Sequence, residues 1–136
     1  MRGVMRRVII ESPYAGTDEE IEENLAYLRA AMRDCLLQGE APFASHALYT
    51  QPGVLDDRND TERNIGITAG YLWRPCAATT VVYTDLGFSY GMQSAIARAN
   101  SEGHPVEYRQ LGGRWARIGN ARLEAQLPRL LPVEGE

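Results

Sequence analysis

The stretch Thr79–Ala99, TTVVYTDLGFSYGMQSAIARA, decides the fold. Its first six residues, Thr79 to Thr84, are β-branched and aromatic and carry no charge, the composition of a central strand. Asp85, Gly87 and Ser89 then make a turn, after which Met92, Ile96 and Ala99 recur on one face of a helix from about Tyr90 to Glu102. Gly103 ends that helix. A strand that turns straight into a helix predicts a crossover connection and a parallel neighbour.

The same alternation extends outward in both directions. Upstream, Arg7 to Glu11 (RVIIE) reads as a short buried strand, followed by the turn SPYAG with Pro13 and Gly16 as breakers. Thr17 and Glu20 have the spacing of a capping box, and Ile21, Leu25, Leu28, Met32, Cys35 and Leu36 give a helix from Asp18 to Gln38, closed by Gly39. A second strand is expected at Ala41–Ala44, then a long polar loop, SHALYTQPGVLDDRND. Its length exceeds the ~12–15 residues usual for structureless connections, which marks it as a functional loop or lid. Asp60 or Thr61 caps a helix running to about Trp73. Downstream, Val106–Leu111 forms a fourth strand, Gly112-Gly113 can turn it into a hairpin with RWARI as a fifth, and Asn120–Leu131 can form a short Leu-rich helix. The whole predicts one α/β domain over residues 1–136: a flavodoxin-like parallel sheet, order 2-1-3-4, with helices on both faces and residues 112–136 as a hairpin and tail available for an oligomer contact.

Composition narrows the partners. Fourteen Lys and Arg against eighteen Asp and Glu give a net charge of −4, so no broad basic surface grips polymeric nucleic acid. A small phosphorylated ligand stays open to an acidic protein, because backbone N–H groups and a few arginines can hold one phosphate. The apolar run in MRGVMRRVII breaks at Glu11, short of a signal peptide, and no stretch approaches the ~20 apolar residues of a membrane span. The expectation is a soluble cytoplasmic protein with no membrane partner. Cys35 and Cys76 lack metal or disulfide spacing and are expected to pack as reduced, small hydrophobes. Asp56 and Asp57 lack a third ligand, so neither a metal nor another cofactor is implied.

In a sheet of order 2-1-3-4 the ligand crevice opens beyond the carboxyl ends of strands one and three. Ser12, Pro13, Tyr14 and Gly16 would form one wall, and Asp85, Ser89, Gly91 and Met92 the other. Gly16 and Gly91 let backbone approach a ligand, and the first turn of the following helix offers N–H groups and a positive dipole end to a phosphate or carboxylate beside Ser89. Asp85 is an acceptor pair for sugar hydroxyls or a base amino group, and Tyr14 and Tyr49 can stack on a base. Plainer roles stand beside these: Ser12 and Ser89 as caps, Asp85 as the organiser of its turn. His46 is an acid, base or phosphate donor, or a structural histidine; Arg63 is a phosphate clamp, or the partner of Asp57 or Glu62. Arg109, on strand four, adds a fourth polar position at the strand ends.

At these residues the chain resembles the nucleoside 2-deoxyribosyltransferase-like superfamily, particularly its small, often phage-borne members. The resemblance rests on VIIESPYAG, on Asn24-Leu25-Ala26, on PFASHALYTQPGVLDD with the later Glu62-Arg63, and above all on YTDLGFSYGMQSAIARANSEGHPVEYR, together spanning Val8 to Arg109. It implies a flavodoxin-like fold, a homo-oligomer, and a pocket for a small-molecule nucleotide or nucleoside. Enzymes of that superfamily cleave an N-glycosidic bond with a glutamate nucleophile four residues after a glycine; counted from Gly87 that position is Gly91, and from Gly91 it is Ala95, and neither can attack an anomeric carbon. The expectation is therefore a protein that binds a nucleotide or nucleoside-like molecule, for sequestration or sensing. The alternative is an active N-glycosidase or deoxyribosyltransferase that uses Asp85 as a non-standard carboxylate, and a third class is a structural or partner-binding domain whose contact is the Leu-rich tail.

Overall fold

The computed structural model describes residues 5–130. The elements run β1 (Arg6–Glu11), α1 (Asp18–Leu37), β2 (Glu40–Phe43), α2 (Ser45–Leu48), α3 (Asp60–Tyr71), a 3₁₀ turn (Arg74–Cys76), β3 (Thr79–Tyr83), α4 (Tyr90–Ser101), β4 (Val106–Arg109) and α5 (Arg114–Leu130). The four strands form one parallel sheet in the order β2-β1-β3-β4, an α/β fold with the expected strand order. Register pairs Val8 with Pro42 on one side and with Thr79 on the other, and Thr80 with Val106. The order reverses between β1 and β3, as a ligand crevice in such a sheet requires.

Strand alternation assigns the two faces. Val8 and Ile10 join Tyr27, Leu28, Ala31 and Cys35 of α1, with Val81, Tyr83 and Trp115, in the main core. Ile9 and Glu11 therefore face the opposite side, where Met92, Ala95 and Ala99 of α4 are buried. Thr17 and Glu20 close the expected capping box, Asn59 rather than Asp60 or Thr61 caps α3, and Ser89 caps α4. On the core face, Arg109 and Arg6 hold the buried Glu40 carboxylate at 2.6 and 2.8 Å.

Five expectations need correction. The predicted fifth strand does not form: RWARI opens α5, because Trp115 inserts into the core with its ring 5.2 Å from that of Tyr27. Gly112 and Gly113, at φ 74° and 57°, supply the left-handed backbone that turns β4 into this helix rather than into a hairpin. Gly119 then lets α5 lie against the β3–α4 turn, since a Cβ there would overlap the Asp85 carbonyl oxygen. The helix expected from Asn120 is the second half of α5, and Leu131 lies outside the described residues. The long loop opens with α2, so it is shorter than expected; α3 stops at Tyr71 and leaves Arg74–Cys76 as a separate turn. Cys35 is buried as expected, whereas Cys76 is exposed. Among the described residues, no helix is long and apolar enough to cross a membrane.

Candidate functional site

A cavity of about 480 Å³ opens beyond the carboxyl end of β1. Its walls are Ile9, Glu11 and Ser12 of β1 and its end, Tyr14, Ser45 and His46 of α2, Arg63, Asn64, Ile67, Gly70 and Tyr71 of α3, Arg74, and Ser89 to Met92 with Ser94 at the start of α4. An outer groove of about 710 Å³ adjoins it along Tyr14, Ala15, Asp57 and Arg63 and continues past Gly16 and the loop from Thr50 to Arg58. Both volumes fall within the ~300–1,000 Å³ of small-molecule sites.

Seven of the residues expected at the site line the inner cavity: Ser12, Tyr14, His46, Arg63, Ser89, Gly91 and Met92. Ser12 is buried, and its Oγ lies 2.8 Å from His46 Nε2; burial pushes the imidazole down to about 4, so His46 is neutral near pH 7. Tyr14 is positioned from behind: Asn24 Nδ2 donates to its carbonyl at 2.8 Å, and Arg122 of α5 donates to Asn24 Oδ1 at 2.9 Å. Ser89 Oγ accepts from Met92 N at 3.2 Å, so its capping role and its place in the cavity wall coexist. A Cβ at Gly91 would meet only Arg63 Nη2 and Ser89 Oγ, both at 3.9 Å, so the glycine leaves open cavity rather than relieving a clash. The Arg63 guanidinium thus reaches the first turn of α4 with one nitrogen while the other donates to Asp57 at 3.2 Å. Of the roles foreseen for Arg63, the pairing with Asp57 forms, and the residue also lines the cavity.

The remaining four lie elsewhere. Pro13 is buried in the turn behind Tyr14, outside the cavity lining. Gly16 borders the outer groove, where its missing side chain leaves room for Glu20, whose Cβ would be 2.9 Å from an added Cβ. Tyr49 is turned away from the cavity: its hydroxyl accepts from Trp73 Nε1 at 3.0 Å and its ring meets Phe43 edge-on, so it is not a base-stacking platform there. Asp85 requires the largest correction. One carboxylate oxygen accepts from the Tyr27 hydroxyl at 2.7 Å and from Leu111 N at 2.8 Å, and the other from Gly112 N at 2.9 Å. Burial pushes this carboxyl up, but these hydrogen bonds outweigh it and hold the group below its ordinary range. Asp85 therefore ties the β3–α4 turn to the start of α5 on the core face, away from the cavity.

Besides Asp57, two charged cavity residues, Glu11 and Arg74, stand outside the sequence-derived set. Glu11, the last residue of β1, is partly buried; burial pushes its carboxyl up to about 7, and the charge of Arg74 offsets only part of that. Arg74 is 3% exposed, donates to Glu102 at 3.1 Å and to the Ala95 carbonyl at 3.3 Å, and lies over the Tyr71 ring at 4.8 Å. Ala95 itself is buried in α4, so the helix brings no carboxylate to the cavity at that position. The signal for Glu11 was a charge ending an apolar strand directly before SPYAG; for Arg74 there was none, because its burial depends on Tyr71 and Glu102. Gly70 was also unmarked, yet Ser45 packs where its Cβ would be, 2.8 Å away, and sets how closely α2 approaches α3. Among the described residues, no three His, Cys, Asp or Glu side chains group as a metal ion requires.

A family described as a domain of unknown function, DUF7768, matches residues 6–109. The chain belongs to the DUF7768 family. The DUF7768 match begins at the first residue of β1 and ends at the last of β4, so it contains the whole sheet and every residue of the inner cavity, while α5 follows it. No curated protein and no solved structure matches this DUF7768 chain.

Proposed function

We propose that the cavity binds a nucleotide or nucleoside-like small molecule, and that the protein sequesters or senses it. The observation that carries this reading is the division of one cavity into chemically distinct walls. At one, Arg63 and the first turn of α4 present a guanidinium and backbone N–H groups to an anion. At the other, Glu11, Ser12 and the neutral His46 present acceptors and hydroxyl chemistry to a polar ring or sugar, with Tyr14 and Tyr71 as aromatic surface. The resemblance to the deoxyribosyltransferase-like superfamily points to the same ligand class, and with it to a homo-oligomer; a sequestering role suits a small, cytoplasmic, phage-type protein. Calorimetry with nucleoside monophosphates, cyclic nucleotides and ADP-ribose relatives tests the reading. One-site binding of at least one of them is expected, and failure of all to bind would refute it.

A second reading, N-glycosidic bond cleavage or deoxyribosyl transfer, is favoured by Glu11. Asp85 is saturated by three donors and faces the core, whereas the Glu11 carboxyl lies in the cavity with its ionisation near neutrality, where a carboxyl can act as nucleophile or general acid. Release of free base from a nucleoside or nucleotide, abolished in Glu11→Gln and retained in Asp85→Asn, is the expected result under this reading. Intact substrate after prolonged incubation with the wild-type protein would leave binding alone.

A further inference from the structure

The inner cavity and the outer groove meet at an ion pair. Asp57 and Arg63 line both spaces, and the pair is partly exposed, its side chains 23% and 35% accessible. Asp57 is held at this boundary from both sides along the chain: Asp56 N donates to Glu62 Oε1 at 3.2 Å, Arg58 N donates to Asp56 Oδ1 at 3.0 Å, and the Arg58 guanidinium pairs with Asp18 at the start of α1. The loop thus presents one carboxylate to the guanidinium that lies beside the first turn of α4. A carboxylate on that guanidinium occupies the position a ligand phosphate would take, since both are oxyanions that compete for the same N–H donors.

The outer groove has a different character. Asp18, Asp56 and Glu62 line it, and its other cation, Arg58, is already paired with Asp18. Further phosphates entering the groove would meet like charge. Hydroxyl groups would meet acceptors, because an ionised carboxylate accepts hydrogen bonds and donates none.

We propose that a ligand phosphate displaces Asp57 from Arg63 and joins the two spaces into one site for a phosphate ester that carries an uncharged, hydroxyl-rich group, the chemical class of a nucleoside diphosphate sugar. This rests on the nucleotide reading above and adds the occupant of the groove and the residue that competes for its phosphate. The ligand has three parts: a nucleoside in the inner cavity, a diphosphate at Arg63 and the first turn of α4, and a sugar in the groove.

Titration calorimetry on the full chain with UMP, UDP-glucose and UTP, and with AMP, ADP-ribose and ATP, tests it. Linking a second recognised group to a bound nucleotide predicts that the sugar conjugate binds at least about tenfold more tightly than its monophosphate, and that the triphosphate does not. Asp57→Asn, which keeps the side-chain shape and removes the competing charge, tightens binding of each phosphorylated ligand that binds by about threefold, the scale of a partly exposed ion pair. Equal affinities for monophosphate and sugar conjugate overturn the proposal and leave the nucleotide reading standing, as does a melting temperature matching wild type in Asp57→Asn with unchanged or weaker phosphate binding. If neither protein binds any of the six compounds, this proposal falls, and the nucleotide reading falls with it when the remaining nucleoside monophosphates and the cyclic nucleotides fail as well. The wild-type ligand series decides the matter even if Asp57→Asn does not fold.

Discussion

Replacing Glu11 with Gln removes a carboxyl whose ionisation opposes folding. In the folded chain burial raises this group from its ordinary 4.5 to about 7, so between those values the folded state holds a proton that the unfolded chain has released. Stability from this group is fully present below pH 4.5 and is lost as pH rises through 7. At about 1.4 kcal/mol per unit the full loss is about 3 kcal/mol, and solvent screening of this partly buried side chain lowers it toward 2. Gln has the same shape and no titration, so it should leave the fold intact and remove the loss. Urea denaturation of both proteins at pH 5, 6, 7 and 8 measures the effect directly. The stability difference, variant minus wild type, should grow by about 2 kcal/mol from pH 5 to pH 8 and level off above that. Other titrating groups, such as the depressed Glu40, are common to both proteins and cancel. Parallel stability curves would show that Glu11 ionises like an exposed carboxylate, and would remove the argument that the cavity contains a carboxyl poised near neutrality.

Three further substitutions test the frame around the cavity. Asp85→Asn should cost about 1–2 kcal/mol by leaving a partly buried N–H without its acceptor, yet leave nucleotide affinity unchanged, because the residue does not line the cavity; urea denaturation and calorimetry read the two effects separately. Gly119→Ala should lower stability by about 1–3 kcal/mol despite alanine's better helix propensity, since the new Cβ meets Asp85 backbone that cannot rotate away; an unchanged urea midpoint would contradict the packing of α5. Glu40→Ala should cost about 3 kcal/mol by stripping the bidentate partner from Arg109. In the wild type the hydrogen bonds of Arg109 hold Glu40 down at about 2, so its contribution is present above pH 4.5 and lost as pH falls toward 2, which circular dichroism during acid titration should register.

Local signals in the sequence were sufficient for the sheet. The run TTVVYT, the capping box at Thr17 and Glu20, and the glycines after α1 and α4 each fix an element from its own residues, and right-handed crossovers then leave few strand orders. What escaped depended on distant partners. Gly112-Gly113 reads locally as a hairpin turn, and only the place for Trp115 beside Tyr27 makes it the entrance to a helix. Asp85 was read as pointing into the crevice because its neighbours do; the Tyr27 hydroxyl, on another element, and the N–H groups before α5 turn it the other way. Conversely, Glu11 was taken only as the end of a strand. Its parity with Ile9 was readable, but that this face carries an open cavity depends on how α2, α3 and α4 pack around it.

The central claim is that the inner cavity receives the ligand, and filling it tests that most directly. An added Cβ at position 91 meets no atom closer than 3.9 Å, so a larger apolar side chain there should extend into empty space. Titration of wild type and Gly91→Leu with the tightest-binding nucleotide should show one site per chain in the first and no measurable heat in the second, at matching melting temperatures. Binding that survives in a folded Gly91→Leu, or is absent from the wild type for every nucleotide tried, would contradict the account.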